Sequence, residues 1–328
     1  MARYLDNKLV FLAGSTGAVG SSIMKYMLDN CPETRIRAGY HQAATHSIKH
    51  ARVEYVRGDL RSQKDCRRMV EGCDCAIMAA ANTGGSNVMR SNPWKLLKDN
   101  LIMNTEILEA FHVSKIERAV YIGSATLYQE FEGHIKEVDL NLNSDPHSAH
   151  FGMGWVVRFT EKLCKFWHDR YGMEIVIARA ANVFGPYSKF NPATSNFIPA
   201  IIRKAVDRMD PFEVWGSPNV TRDVIYSDDF AKAIVMMLDN NKIKFDIFNI
   251  GSGIKTTVSD VVKWALEFAG HHPSRIEYNQ RKPTTISFRA LDCSKAEEVL
   301  GWRPQVSVEE GIKKTTAWWI DNRSWWKK

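Results

Sequence analysis

Near the start of the chain, Gly14-Ser15-Thr16-Gly17-Ala18-Val19-Gly20 follows directly on the apolar run Leu9-Val10-Phe11-Leu12-Ala13. Five apolar residues in a row, closed by a glycine, read as a strand buried on both faces. Beyond the turn, Ile23, Met24 and Met27 recur at helical spacing, so residues 21–29 read as a helix. Strand, glycine-spaced turn and helix together make a pyrophosphate cradle. The first glycine permits the tight turn, the second lets backbone N–H groups reach the phosphates, and the third lets helix pack on strand.

The same rhythm continues. Residues 35–40, 53–56, 75–79, 118–122 and 174–179 read as strands, separated by helical stretches at 61–71, 95–112 and 152–171. Alternating strands and helices predict an α/β fold: a Rossmann-type doubly wound parallel sheet with a smaller C-terminal substrate lobe. The 328 residues suffice for one large unit and one small one. We expect residues 1–182 to form the dinucleotide-binding domain and 183–328 mainly the substrate lobe, with some segments returning to the first.

Cofactor preference is read where the second strand ends, at Arg37-Ala38-Gly39-Tyr40-His41-Gln42. An acidic side chain there would bind a ribose 2′-hydroxyl and repel a 2′-phosphate. None is present, so the local chemistry leans to NADP; NAD held without that contact is the alternative. Tyr40, His41, Ala79, Ala80, Ala81 and Asn100 complete the expected cofactor set with the glycine turn, together with Asp59 and Leu60.

Composition removes several alternatives. The net charge of +7 comes from basic residues spread along the chain, which suits phosphorylated ligands and gives no nucleic-acid footprint. No run approaches the ~18 apolar residues that a spanning helix needs. The polar N-terminus leads straight into a strand, so no secretory leader is expected. Six cysteines lie mostly in apolar runs without metal-ligand spacing, which predicts reduced thiols, no metal and a cytoplasmic location. Cys73 and Cys75 are expected to point at one packed face. The closing Trp325-Trp326-Lys327-Lys328 suggests a final helix packing its tryptophans on the body, or an interfacial anchor.

Several downstream segments resemble the extended short-chain dehydrogenase/reductases, in particular their NAD(P)-dependent nucleotide-sugar epimerases and dehydratases. Gly123-Ser124-Ala125-Thr126-Leu127-Tyr128 is similar to that family's serine-bearing loop. Ala180-Ala181-Asn182 with Gly185-Pro186 is similar to the stretch beside the nicotinamide. Ser195-Asn196-Phe197-Ile198-Pro199 resembles the substrate-phosphate loop, and Val214-Trp215-Gly216 with Thr221-Arg222-Asp223 resembles the nucleotide clamp. The spacing from Phe190-Asn191-Pro192 into Ser195 resembles most the GDP-L-fucose synthase group. The resemblance implies a nucleotide-sugar substrate, GDP-linked, and a homodimer built from helices 95–112 and 152–171. It implies substrate contacts from Ser124, Thr126, Asn182, Asn196, Trp215, Arg222 and Arg289. It also places Asp59 where the family's aspartate meets the adenine; the alternative is a cap on the following helix.

One departure stands out. The family's Tyr-x-x-x-Lys helix carries the proton-transferring phenol and the lysine that tunes it. Alignment on Lys162-Leu163-Cys164 puts Met153 at the tyrosine and Val157 at the lysine; a register shifted by two offers Phe151 and Trp155. Neither pair transfers protons. Thr126 and Asn196 stand where the fucose synthases have their cysteine and histidine. Ser124 remains the best-placed hydroxyl, and His147, His150 and Tyr187 are the candidate substitutes for the acid. The readings open at this point are an enzyme with altered catalytic groups and a catalytically silent homologue that works as a binding or regulatory subunit.

Overall fold

The computed structural model describes residues 3–42, 48–83, 93–279 and 289–323. Seven strands form the central sheet: β1 (Leu9–Ala13), β2 (Arg35–Tyr40), β3 (Val53–Arg57), β4 (Cys75–Met78), β5 (Arg118–Ser124), β6 (Glu174–Ala180) and β7 (Phe245–Ile250). Their order is β7-β6-β5-β4-β1-β2-β3, and every neighbouring pair is parallel. This is the doubly wound order, reversing direction beside β1, where the two halves part and leave a crevice at the carboxyl ends.

Alternation along each strand feeds two cores. Val10, Leu12, Cys75 and Ile77 face helices α1 (Ala18–Asn30) and Ser227–Asp239 on one side. Leu9, Phe11, Ala76 and Met78 face Gln63–Val70, Pro93–Val113 and Phe151–Tyr171 on the other. We label these helices α2 (Gln63–Val70), α3 (Pro93–Val113), α4 (Phe151–Tyr171), α5 (Phe197–Val206) and α6 (Ser227–Asp239), followed by α7 (Val258–Ala269), α8 (Ser294–Leu300) and α9 (Val308–Asp321). A further apolar cluster binds α5, α7 and α9 around Phe184, Phe190, Phe212 and Trp319.

Local chemistry sets the helix ends. The helix expected over 61–71 runs from Gln63 because Ser62 caps it, its hydroxyl accepting from the Asp65 N–H. Asp59 instead accepts from the Arg61 N–H, holding the preceding turn. Helix α4 stops at Gly172, whose φ of 71° lets its N–H close on the His168 carbonyl.

Cys73 and Cys75 are buried, but they pack into different clusters on opposite sides of the sheet. The reason is that β4 begins at Cys75, so Cys73 precedes the alternating register that would have aligned them. All six cysteines are free. Among the described residues no helix is long and apolar enough to cross a membrane. Trp318 and Trp319 on α9 stack near Phe190, while residues 325–328 lie outside the described residues.

Candidate functional site

The glycine turn is built as a cradle. Gly14 has φ +73°, and a Cβ there would lie 2.7 Å from the Ala80 Cα. A Cβ on Gly20 would lie 2.2 Å from the Gly14 carbonyl oxygen, so helix α1 could not close on β1 with any larger residue. Gly17 differs: it is exposed, and its Cβ would meet only the Gly14 oxygen, at 3.4 Å. Ser15 is buried, and its N–H and hydroxyl both donate to the Gly39 carbonyl, at 3.1 and 3.0 Å, tying the turn to β2. Thr16 and Val19 are half-buried, and Ala18 opens α1. The helix therefore presents its first N–H groups beside an open glycine, a combination that fits a dinucleotide pyrophosphate.

Around this turn, Ala79 donates its N–H to the Ala13 carbonyl, and Ala80 lies under Gly14, whereas Ala81 is exposed. Tyr40 packs edge-on against Tyr55, and His41 Nε2 lies 3.6 Å from Asp59. Asp59 is gripped by the Arg61 guanidinium, which lowers its pKa to about 2. Leu60 is buried in the sheet core. Arg37 turns back to Glu54 at 3.1 Å, leaving the His41 imidazole and the Arg57 guanidinium at the ends of β2 and β3. Asn100 is buried on α3, where its side chain clamps the N–H and carbonyl of Asn82, both at 2.9 Å.

Ser124 closes β5, and its hydroxyl accepts from the Thr126 N–H and hydroxyl at 3.3 and 3.1 Å. Gly154 lets α4 press on this loop, since a Cβ there would lie 2.7 Å from the Thr126 carbonyl oxygen. Met153 Sδ lies 3.7 Å from the Asn100 amide. Val157 is buried with Leu127, Tyr128 and Ile135, its methyl 3.2 Å from where a Gly123 Cβ would lie. The register of α4 thus brings Met153, Gly154 and Val157 toward Asn100 and the Ser124 loop.

Behind the loop runs a buried polar network. The Arg179 guanidinium pairs with both Glu161 oxygens at 2.9 and 2.8 Å, and donates to the Tyr128 hydroxyl at 2.8 Å. Tyr128 in turn donates to Asn249 on β7 at 2.7 Å. Burial pushes the Tyr128 phenol up to about 12, and the side chain is fully enclosed.

The three candidate substitutes for the acid are scattered. His147 Nδ1 accepts from the Ala149 N–H, capping a short helical turn before α4. His150 lies at the start of α4, its ring 6.2 Å from that of His147. Tyr187 has φ +65°, and its ring packs against Trp318 at 5.2 Å.

On the substrate side, Asn182 donates its amide to the Asp223 carbonyl at 3.0 Å. The Asp223 carboxylate is saturated by Ser252, Gly253 and Leu291, so it forms no pair with its neighbour Arg222. Arg222 lies over the Phe197 ring at 5.6 Å, its Nε buried without a hydrogen-bond partner, and burial lowers its pKa. Asn196 caps α5 beside that ring, and Trp215 is exposed with Lys204 over its face at 5.8 Å. The Arg289 side chain lies outside the described residues.

Sequence reasoning missed Lys189, which donates to the Thr83 carbonyl at 2.8 Å and hydroxyl at 3.2 Å. It sits in an irregular stretch without periodicity, so nothing local announced its direction. No group of His, Cys, Asp and Glu suited to a metal occurs among the described residues.

A model of the NAD-dependent epimerase/dehydratase family matches residues 10–251. A GDP-L-fucose synthase from Sinorhizobium fredii is 27% identical over 324 residues, 97% of each chain. A GDP-mannose 3,5-epimerase from Arabidopsis thaliana is 27% identical over 263 residues, covering 79% of this chain and 68% of that protein. An epimerase structure from Methanothermobacter thermautotrophicus superposes with a TM-score of 0.87 at 24% identity, covering 98% of this chain and 95% of that one. A Thermotoga maritima UDP-glucose 4-epimerase with UDP-glucose gives 0.83 at 20% identity, covering 96% and 99%. With its glycine cradle at the switch point of a parallel seven-stranded sheet, the chain belongs to the NAD-dependent epimerase/dehydratase family.

Proposed function

We propose that this protein is a nucleotide-sugar-modifying enzyme, an epimerase, dehydratase or reductase acting on a hexose or 4-keto nucleotide-sugar with altered catalytic groups. The observation that carries the reading is Arg222: a half-buried residue whose guanidinium lies over the Phe197 ring, with a buried, unpartnered Nε and no carboxylate to offset its charge among the described residues. A buried cation is costly unless an anion meets it, and a substrate diphosphate supplies one with bidentate geometry. In this reading Asn196, Trp215 and Asn182 serve as partners for nucleotide and sugar. The GDP-sugar relatives support a GDP-linked substrate.

Residues 14–20 cradle the cofactor in this reading, with Tyr40, His41, Asp59, Leu60, Ala79, Ala80, Ala81 and Asn100 around it. The group supplies hydride exchange when bound. NADP is favoured, because β2 ends without a carboxylate and beside His41 and Arg57. Residues 1–182 hold cofactor and residues 183–328 mainly hold substrate. The apolar stripe Phe151, Trp155, Phe159 and Phe166 on α4 is exposed, which supports a homodimer through α3 and α4. Six free thiols agree with a cytoplasmic setting.

The test is a panel of nucleotide-sugars with NADP(H) and NAD(H), read by mass and by NMR of the anomeric protons. Product from a GDP-sugar, together with loss of GDP-sugar binding in Arg222→Met by roughly 10- to 100-fold, is expected. A second reading, a catalytically silent binding subunit, draws on Val157 being sealed among Leu127, Tyr128 and Ile135. Tight ligand binding with no product from any sugar would favour it.

A further inference from the structure

Helix α4 presents a thioether and an isopropyl group at positions 153 and 157, so a proton has to be carried from another element. Lys189 lies on a different element, the irregular stretch after residues Asn182–Phe184. Its neighbours pin the segment: Phe190 stacks on Trp319 at 4.0 Å and 7°, and Tyr187 packs on Trp318 at 5.2 Å. With both flanks fixed on α9, the Lys189 Nζ reaches the Thr83 carbonyl and hydroxyl, in the loop after β4. Thr83 follows Asn82, which the Asn100 side chain clamps, and the same Asn100 amide touches Met153 Sδ at 3.7 Å. The ammonium is therefore held on the loop after β4, one residue along the chain from the Asn82 that Asn100 clamps.

We infer that Lys189 is the proton carrier of this cleft, acting from the loop after β6 in place of a side chain on α4. The inference rests on the nucleotide-sugar reading above. Desolvation lowers the Lys189 pKa, and Asp99, the carboxylate on α3 that faces the same loop, is taken up by Arg61 and Asn82. The residue is exposed, yet the protein around it still disfavours the charged form. A lysine shifted in this direction becomes usable as a base closer to neutral pH. In the forward step the uncharged amine accepts the proton of a sugar hydroxyl while the hydrogen on the same carbon leaves as hydride to the oxidised nicotinamide. The C–O single bond becomes a carbonyl and the amine an ammonium; the reverse step returns both.

The decisive variant is Lys189→Arg in the full chain, which keeps the charge and the reach to Thr83 but does not release a proton near neutral pH. Wild type and variant are compared on GDP-mannose, a GDP-linked 4-keto sugar and UDP-glucose with NADP(H) and NAD(H). The expected result is a fall in kcat of roughly 10²- to 10⁴-fold with KM nearly unchanged. A second measurement needs no turnover: trace acetylation across pH, read peptide by peptide in a mass spectrometer. Lys189 is expected to become reactive at lower pH than surface lysines, which titrate near ~10.4. Undiminished kcat in Lys189→Arg, or labelling like a surface lysine, overturns the proposal while leaving the functional reading intact. No product from either protein on any sugar overturns the functional reading and this role with it.

Discussion

Glu161→Gln should destabilise the protein far more than its single-atom change suggests. Arg179 and Glu161 have side-chain exposures of only 3% and 6%, and the guanidinium uses two of its N–H groups on the carboxylate. Burial works against the Arg179 charge, and the contacts with Glu161 and Tyr128 outweigh it, so its pKa is raised. A glutamine can accept only one of the two bonds and points an amide N–H at the other, leaving a buried cation uncompensated. Breaking such a pair costs about 3–5 kcal/mol, whereas the pair itself need not be worth that much against apolar residues. At roughly 2 °C per kcal/mol for a chain of this size, the melting temperature should fall by ~6–10 °C. The Glu161→Met, Arg179→Met double variant should fall by clearly less than the sum of the two singles, because no charge is stranded. Scanning fluorimetry and urea denaturation on wild type, Glu161→Gln, the two methionine singles and their double measure this. A Glu161→Gln protein that melts within about 2 °C of wild type, or strict additivity in the cycle, would refute the argument. The Ser124 loop hangs on this network through Tyr128, so the same variant should also weaken ligand binding.

Three further outcomes follow from the geometry. Gly17→Val should remove calorimetric heat of NADP(H) and NAD(H) binding at nearly unchanged melting temperature, whereas Gly20→Ala should lower the melting temperature itself, since its Cβ would meet backbone at 2.2 Å. Val157→Lys should cost stability by several degrees, because its ammonium would start among Leu127, Tyr128 and Ile135; Met153→Tyr should not, and a stable double variant should gain reductase activity toward a 4-keto nucleotide-sugar. Light scattering at micromolar protein should give the mass of a dimer, and Phe159→Glu with Phe166→Glu should give a monomer; a wild-type monomer would sink the dimer.

The sequence alone determined the sheet and its first turn. Leu9 to Ala13 could be read as a doubly buried strand because it is apolar at every position, and Gly14 and Gly20 as parts of a tight turn because a side chain at either would meet backbone. Those signals are local, set by φ, by the missing Cβ and by the two-residue period of a strand. The pairing of Met153 and Val157 with the family's tyrosine and lysine positions is what the resemblance implies, and the sequence left the register with Phe151 and Trp155 open beside it. What the sequence could not decide is where a side chain goes when its partners are distant in the chain. Arg37 lies on the cofactor strand, and only the tertiary structure shows that it turns to Glu54 on the neighbouring strand. Tyr187 was legible only as a phenol, and it is the tertiary structure that packs its ring against Trp318 of the C-terminal helix. Lys189 gave no signal at all, because it becomes distinctive only when α9 pins its neighbours and brings it to Thr83, 106 residues away along the chain. Burial and desolvation are properties of the assembled surface, so the downward pull on the pKa of Arg222 and Lys189 came only from tertiary packing.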